Sequence, residues 1–457
     1  MGSFSRAQWD TLWLPFAVII ACMTLMIAFR RQLNAMLLGD ESAATLGIHV
    51  QRFRIMMLLL SSLITAVLVA MCGGVGFVGL MIPHIVRYFS PQGSSHNLVM
   101  TSLLMFNIMP IVQQFSAVIQ QKIDLKTKPL GALGQLESCA KQLTLIFSKQ
   151  LDSEQALAAF KPVISNPSLV VFAGDHGVAS QGVSIAPSSV TSQMVANFAA
   201  GGAAINVFCR QLGWQLEVVD AGTLNTSHDK RVHNQRLGEI TAPLNTEMAM
   251  SLSQVEKGFA LAKQRVHSLY EQGCNTIAFG EMGIGNTTSA AALMAALLSL
   301  PASQCVGKGT GVSDEVVAKK IKVVEQALQL HKAHFDEPLM TLAALGGFEI
   351  VQITGAILAA AELGMAVIVD GFICTAAALV ATRINANARD YMLFAHASDE
   401  QGHKAMLNAL HAAPLLQLDL RLGEGSGAAL ALPLLQASLA FYNDMASFAD
   451  ANVEQVV

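Results

Sequence analysis

Residues 276–298 read TIAFGEMGIGNTTSAAALMAALL. A short apolar run, TIAF, is followed by glycines at 280, 283 and 285 and then by an unbroken Ala/Leu-rich stretch. That order spells a buried strand, a tight turn and a helix starting near Thr287. The same order recurs on both sides. The runs LVVFA (169–173), LEVV (216–219), AVIV (366–369) and MLFA (392–395) each end in a loop rich in Gly, Asp or Glu and lead into Ala-rich helical stretches. Buried runs alternating with helices predict βαβ units and a parallel sheet with helices on both faces. No tandem repeat is apparent.

The loops after those runs hold the polar residues. They read GDHGV (174–178), DAGT (220–223), GEMGIGNTT (280–288), DGF (370–372) and HASDEQGH (396–403). In an open parallel sheet ligands sit beyond the carboxyl ends of the strands, so Asp175, His176, Asp220, Glu281, Asp370 and His396 are expected along one rim. A single Asp at such a place is equally an N-cap; five polar strand ends in succession ask for more. The turn at 280–285 suits an anion, because glycines admit the ligand to the backbone and the helix start offers free N–H groups. Its spacing is neither the dinucleotide fingerprint nor the P-loop. Two further glycine turns, GKGTG (307–311), ahead of a helix with Lys319, Lys320 and Lys322, and ALGGFEI (344–350), extend the expectation to a phosphorylated substrate held mainly by backbone.

The stretch LRLGEGSGAALALPLL (420–435) has one acid, Glu424, between glycines 423, 425 and 427. A carboxylate on a glycine-flexed loop has the form of a general base; a dipole partner of the following helix is the alternative. His176, His396 and His403 with Asp175 are the conceivable metal ligands, but neither HxxxH nor HxH spacing occurs, and no metal or cofactor is expected.

Farther out, the chain is 457 residues long, about three domain equivalents. It carries 28 basic and 32 acidic residues, net −4, which excludes a nucleic-acid binder held by bulk positive charge. Seven scattered cysteines without a CxxC pair read as reduced core thiols. Charged residues are only 13% and hydrophobic ones 53%, and the excess is uneven. Residues 12–29 and 55–82 are free of charge and long enough for membrane helices, 18 residues giving roughly 27 Å. A signal peptide fits the first run poorly, since Arg30 and Arg31 follow it; a buried helical hairpin is the other alternative. Arg30, Arg31, Arg52 and Arg54 place the loop between the runs on the cytoplasmic side. SPQGSSHN (90–97) reads as a linker, and 115–160 as helical, broken by KTKPLGALG (126–134).

The motifs KTKPLGALGQLE, FAGDHGV, VTSQMVANFAAGGAAINVF, GEMGIGNTT, GKGTGV, AALGGFEI, VIVDGFICTAAAL and LRLGEGSGAALAL, spread from about Val112 to the end, closely resemble nicotinate-nucleotide–dimethylbenzimidazole phosphoribosyltransferases, enzymes of cobalamin lower-ligand assembly. The resemblance implies a Rossmann-like parallel α/β domain with a smaller helical domain (about 111–165 plus C-terminal segments), acting as a homodimer in the cytoplasm. It implies transfer of the phosphoribosyl group of nicotinate mononucleotide to dimethylbenzimidazole, with Glu424 as general base and Glu281 as the second acid. Gln193 in VTSQMV would line the base pocket. Gly283, Gly285, Asn286, Gly309, Gly311 and Lys320 are the candidates for the phosphoribosyl moiety, with Asp175 and His176 as further substrate contacts.

The first ninety residues resemble something else. LLGDESAATLGIHVQRFR and GGVGFVGLMIPHIVRYF are similar to the membrane permease subunit of iron-siderophore and cobalamin importers, of which only two or three membrane helices would be present, too few for a translocation path. Three accounts of the join follow: a fusion that tethers the transferase to a membrane, a remnant permease gene, or a merger of two reading frames, the last two favoured by Met100, Met105 and Met109 at the place where a free-standing transferase would start. A membrane import component with a soluble part that only binds ligand is the competing function; a dinucleotide-dependent oxidoreductase lacks its fingerprint.

Overall fold

The computed structural model describes residues 106–454 except 112, 308 and 310. The expected membrane runs at 12–29 and 55–82, the linker at 90–97, Cys22 and Cys72 lie outside the described residues.

Six strands form one sheet: β1 (Ser168–Gly174), β2 (Gln215–Gly222), β3 (Val232–Asn234), β4 (Thr276–Met282), β5 (Ala366–Val369) and β6 (Met392–Phe394). Their order is β3-β2-β1-β4-β5-β6, and every pairing is parallel. Five of them are the apolar runs picked out above. The sixth, β3, has only three residues, too few for a periodicity to register. All seven positions of β1 are buried, the mark of a strand covered on both faces.

The helices that matter for the site are α1 (Ser116–Asp124), α2 (Gln135–Phe147), α3 (Ser189–Ala200), α4 (Ala204–Leu212), α5 (Leu252–Glu271), α6 (Asn286–Leu298), α7 (Asp314–His331), α8 (Phe348–Leu363), α9 (Phe372–Ile384) and α10 (Ser426–Asp444). Helix α8, buried at its first fourteen residues, lies across β1, β2, β4 and β5, with α5 packed along it. Helices α3, α4 and α10 also cover the sheet, and α1 and α2 pack together, α2 against α10. An isolated antiparallel bridge between Lys126 and Ser447 joins the KTKPLGALG turn to the C-terminal region. The segment 106–110 is packed onto this body: Phe106 is 1% exposed and meets Phe259 of α5 edge-on at 5.9 Å between ring centroids.

The strand order reverses between β1 and β4, which open a crevice at their carboxyl ends because their connections depart in opposite directions. Among the described residues no helix is long and apolar enough to cross a membrane. The five cysteines described, at 139, 209, 274, 305 and 374, are all free and buried.

Candidate active site

A cavity of about 120 Å³ lies in that crevice. Its walls come from five places in the chain: Glu281 at the end of β4 with Gly283, Asn286 and Thr287 after it, Gly309 ahead of α7, Asp370 and Gly371 after β5, His396, Ser398 and Glu400 after β6, and Arg421, Leu422 and Gly423 ahead of α10. The fold collects the rim residues because each strand ends at the same edge of the sheet.

β4 delivers Glu281 to the cavity wall, where it is 6% exposed. The turn 283–285 folds back so that Asn286, the first residue of α6, donates its side-chain amide to the Glu281 carboxylate. Gly285 takes φ +97°, a value open to glycine, and this turn has no room for Cβ atoms: one on Gly283 would stand 2.4 Å from the Gly174 carbonyl oxygen.

Glu424 follows the lining residue Gly423 without itself lining the cavity, and its backbone is unusual. Gly423, Glu424 and Gly425 all have positive φ, at 84°, 63° and 85°. For the two glycines this is free of strain; for Glu424 it costs about 1–3 kcal/mol and is kept only because the surroundings enforce it. They do so by contact. A Cβ on Gly280 would meet the Glu424 carbonyl oxygen at 2.2 Å, and one on Gly423 would meet Glu281 Oε1 at 2.1 Å. The glycines are therefore there for the close approach of two backbones as much as for flexibility. Glu424 is 5% exposed, and its Oε2 accepts a 3.3 Å hydrogen bond from the Ile205 N–H at the start of α4.

Four carboxyl groups share this region, and their charges work against one another. Burial pushes Glu281 up to about 8, helped by Glu349 and Asp370; the Asn286 amide opposes the rise, and Glu424 adds to it. Burial also raises Glu424, against the Ile205 N–H and with Asp370. Glu281 thus holds its proton at neutral pH. Its ordinary value is 4.5, so both folded and unfolded chains carry the proton at low pH. As pH climbs from 4.5 toward 8 the unfolded chain loses it and the folded one keeps it, so stability drops across that window. Glu281→Gln cannot ionise and keeps an oxygen for Asn286. It is expected to melt like the unsubstituted protein near pH 4 and at a higher temperature near pH 9; melts at both values check this, and equal melting at pH 9 would refute it.

The cavity's other end is polar. Lys320 of α7, 2% exposed, donates to Thr287 Oγ1 at 3.0 Å and to the Gly307 carbonyl at 3.4 Å. Burial lowers its pKa and Glu400 raises it. Glu400 is raised by burial, against Lys320, the Gly309 N–H and Arg421. Gly309 and Gly311 have φ +55° and +104°. Backbone, one lysine and one arginine converge here, a setting suited to a phosphate.

Several expected residues do not line the cavity: Gly285, Gly311, Lys320 and Glu424 lie beside lining residues without belonging to that set. Gln193 is exposed on α3, outside the lining set. Asp175 and His176 are buried behind it: Asp175 Oδ2 accepts from the Leu224 N–H at 2.8 Å, and His176 Nε2 lies 2.7 Å from Glu349 Oε1. Asp220 caps its own loop through the Gly222 and Thr223 N–H groups and pairs with Arg236 at 3.0 Å. His403 is held far down, at about 3, by burial and by His396; its Nδ1 accepts from the Ser398 N–H. Arg421, Ser398, Glu400 and the charge of Glu349 were missed from sequence. Glu349 alone left a signal, the single charge among the first fourteen residues of α8. Among the described residues no group of three or more His, Cys, Asp or Glu could hold a metal ion.

Comparison with known proteins sharpens the reading. A phosphoribosyltransferase family model matches residues 108–453, and a FecCD transport family model matches residues 1–133. The chain is 69% identical to the nicotinate-nucleotide–dimethylbenzimidazole phosphoribosyltransferase of Pseudoalteromonas translucida (strain TAC 125), over 77% of this chain and all of that one. It is 58% identical to the protein of that name from Shewanella sp. (strain ANA-3), over 78% of this chain and 99% of the other. The crystal structure of the Thermus thermophilus protein of that name superimposes with a TM-score of 0.69 at 38% identity, covering 75% of this chain and 99% of its own. From residue 108 onward, where sequence family, full-length relatives and solved fold coincide, the chain belongs to the nicotinate-nucleotide–dimethylbenzimidazole phosphoribosyltransferase family.

Proposed function

We infer that this chain transfers the phosphoribosyl group of nicotinate mononucleotide to dimethylbenzimidazole, giving α-ribazole phosphate and nicotinate, a step in assembling the lower ligand of cobalamin. The observation that carries the reading is Glu424, a carboxylate held on a strained left-handed turn beside the cavity wall at Gly423 and near Glu281, whose carboxyl is pushed up to about 8. Strain of this kind collects at active sites, ligand clamps and switches.

In this reading the phosphate lies at the polar end, against the 283–285 turn, Gly309, Gly311 and Lys320, and the ribose sits between Glu281 and Glu424. One azole nitrogen attacks the anomeric carbon with its lone pair. The other gives its proton to Glu424, so the new bond forms without leaving charge on the ring. The bond to the pyridinium nitrogen breaks with its electron pair returning to that nitrogen. Nicotinate therefore leaves without an acid, and one base suffices. Attack from the face opposite the leaving group turns the β-glycosidic bond into an α bond. Glu281, neutral at pH 7, offers a donor to the ribose or to the azole. Gln193, exposed on α3, would contact the azole from outside the cavity lining. The enzyme requires no metal or cofactor in this scheme and acts as a homodimer.

The test is nicotinate release by the full chain from nicotinate mononucleotide, with and without dimethylbenzimidazole, together with the anomeric configuration of the product by NMR. Azole-dependent release with an α product supports the reading; ligand affinity without release overturns it. That second outcome is what a membrane import component with a binding-only soluble part would give. The FecCD match over residues 1–133 is the observation in its favour. Recovery of the chain from its host in the membrane fraction, at a mass near 48.5 kDa, would show a tether; a shorter product left in the soluble fraction would rule one out.

A further inference from the structure

We propose that Asp370 and His396 are positioning residues that together clamp the turn 423–428 and so set the place of the Glu424 carboxylate. The proposal rests on the reading of Glu424 as base and goes beyond it.

Helix α10 starts at Ser426 with Gly425 as N-cap and no side chain of its own to receive its first N–H groups. A helix start needs such acceptors. Here they come from across the sheet. Asp370, at the carboxyl end of β5, takes the Ala428 N–H on Oδ1 at 2.8 Å, and the Gly427 and Gly371 N–H groups also point at its carboxylate. The cap belongs to a strand, so it registers the start of α10 against the sheet, three to four residues from Glu424. His396 holds the turn from the other side. Its Nδ1 lies 3.7 Å from Asp370 Oδ1, and its ring rests on Gly427 so closely that a Cβ there would stand 1.9 Å from Nδ1. Asp370 and His396 are 2% and 4% exposed and both line the cavity.

Local capping would make a helix equally well. A serine or aspartate at position 425 would do it, but the backbone there is left-handed and touches Gly280 and Leu169. A remote acceptor lets the turn stay glycine-thin beside β4 while its end is still fixed. Around Glu424 the facing groups are the Ile205 N–H from α4, Glu281 from β4, Asp370 from the end of β5, and His396 from the end of β6 through its contact with Gly427. Of these, Asp370 is the one whose charge raises the Glu424 carboxyl.

Two variants separate the roles. Asp370→Ala removes the cap and the charge; kcat is expected to fall about 10²-fold, the scale of a base displaced by about 1 Å, with KM for nicotinate mononucleotide changed far less. Asp370→Asn keeps an oxygen for the Ala428 N–H. It is expected to regain most of that kcat, and the acid limb of its pH–rate profile moves to lower pH because a like charge facing Glu424 is gone. A purely structural residue would lower the melting temperature and leave kcat per folded molecule and the pH profile unmoved; that result overturns the proposal. Glu424→Gln, assayed beside them, distinguishes the failures. Full turnover in Glu424→Gln removes the base and the clamp together, whereas an inactive Glu424→Gln beside a fully active Asp370→Ala overturns the clamp alone.

Discussion

Glu424→Gln is expected to lower the rate of azole-dependent nicotinate release by about 10²–10⁴-fold, the usual contribution of a general base, while the protein folds and melts at no lower temperature than before. The substitution changes the acid–base chemistry and little else. Glutamine has the same length and keeps an oxygen for the Ile205 N–H, which Glu424 Oε2 accepts at 3.3 Å. Because burial already raises the Glu424 carboxyl, a neutral side chain at this position removes an unfavourable ionisation and adds none. Single-turnover release of nicotinate, read beside a thermal melt, checks both halves. Unchanged turnover would remove Glu424 as the base; a large drop in melting temperature would mean that the charge holds the turn together.

Gly280→Ala is expected to do comparable harm from a residue with no chemistry of its own. The added methyl would stand 2.2 Å from the Glu424 carbonyl oxygen and 2.4 Å from its carbon, both backbone atoms with no rotamer to yield. β4 is hydrogen-bonded to β1, with Gly280 opposite Val171, so the turn gives way before the strand does. Overpacking of this kind costs about 1–3 kcal/mol, and a base moved by about 1 Å costs on the order of 10²-fold in rate. The loss should appear in kcat at a temperature where the variant is still folded. Wild-type kcat in a folded Gly280→Ala would show that the turn can slide without carrying Glu424 off its target.

These two expectations differ in what sequence reading can reach. Glu424 was legible because an acid flanked by glycines at 423, 425 and 427 has few structural excuses. Glu281 was legible because it closes an apolar run in a glycine turn, and Asn286 beside it opens α6 as expected. The role of Gly280 was not legible. It read as part of a ligand turn, yet what it admits is the backbone of residue 424, which is 144 positions later in the numbering. Asp175 and His176 show the opposite case, since they do not line the cavity. They stand at a strand end like Glu281, but their partners there are the Leu224 N–H and Glu349.

By itself the sequence determined the class of fold, the strands long enough to show a period, the glycine turns and the acids inside them, and the family those motifs belong to. Each of these is local: a run, a spacing, a residue type beside its neighbours. The tertiary structure decided which of the rim residues share a cavity, that Glu281 holds its proton, that Asp370 caps a helix begun 56 residues later, and that Gln193 stays on the surface. Burial and the meeting of like charges cause these results, and both depend on distances across the sheet that no stretch of sequence contains.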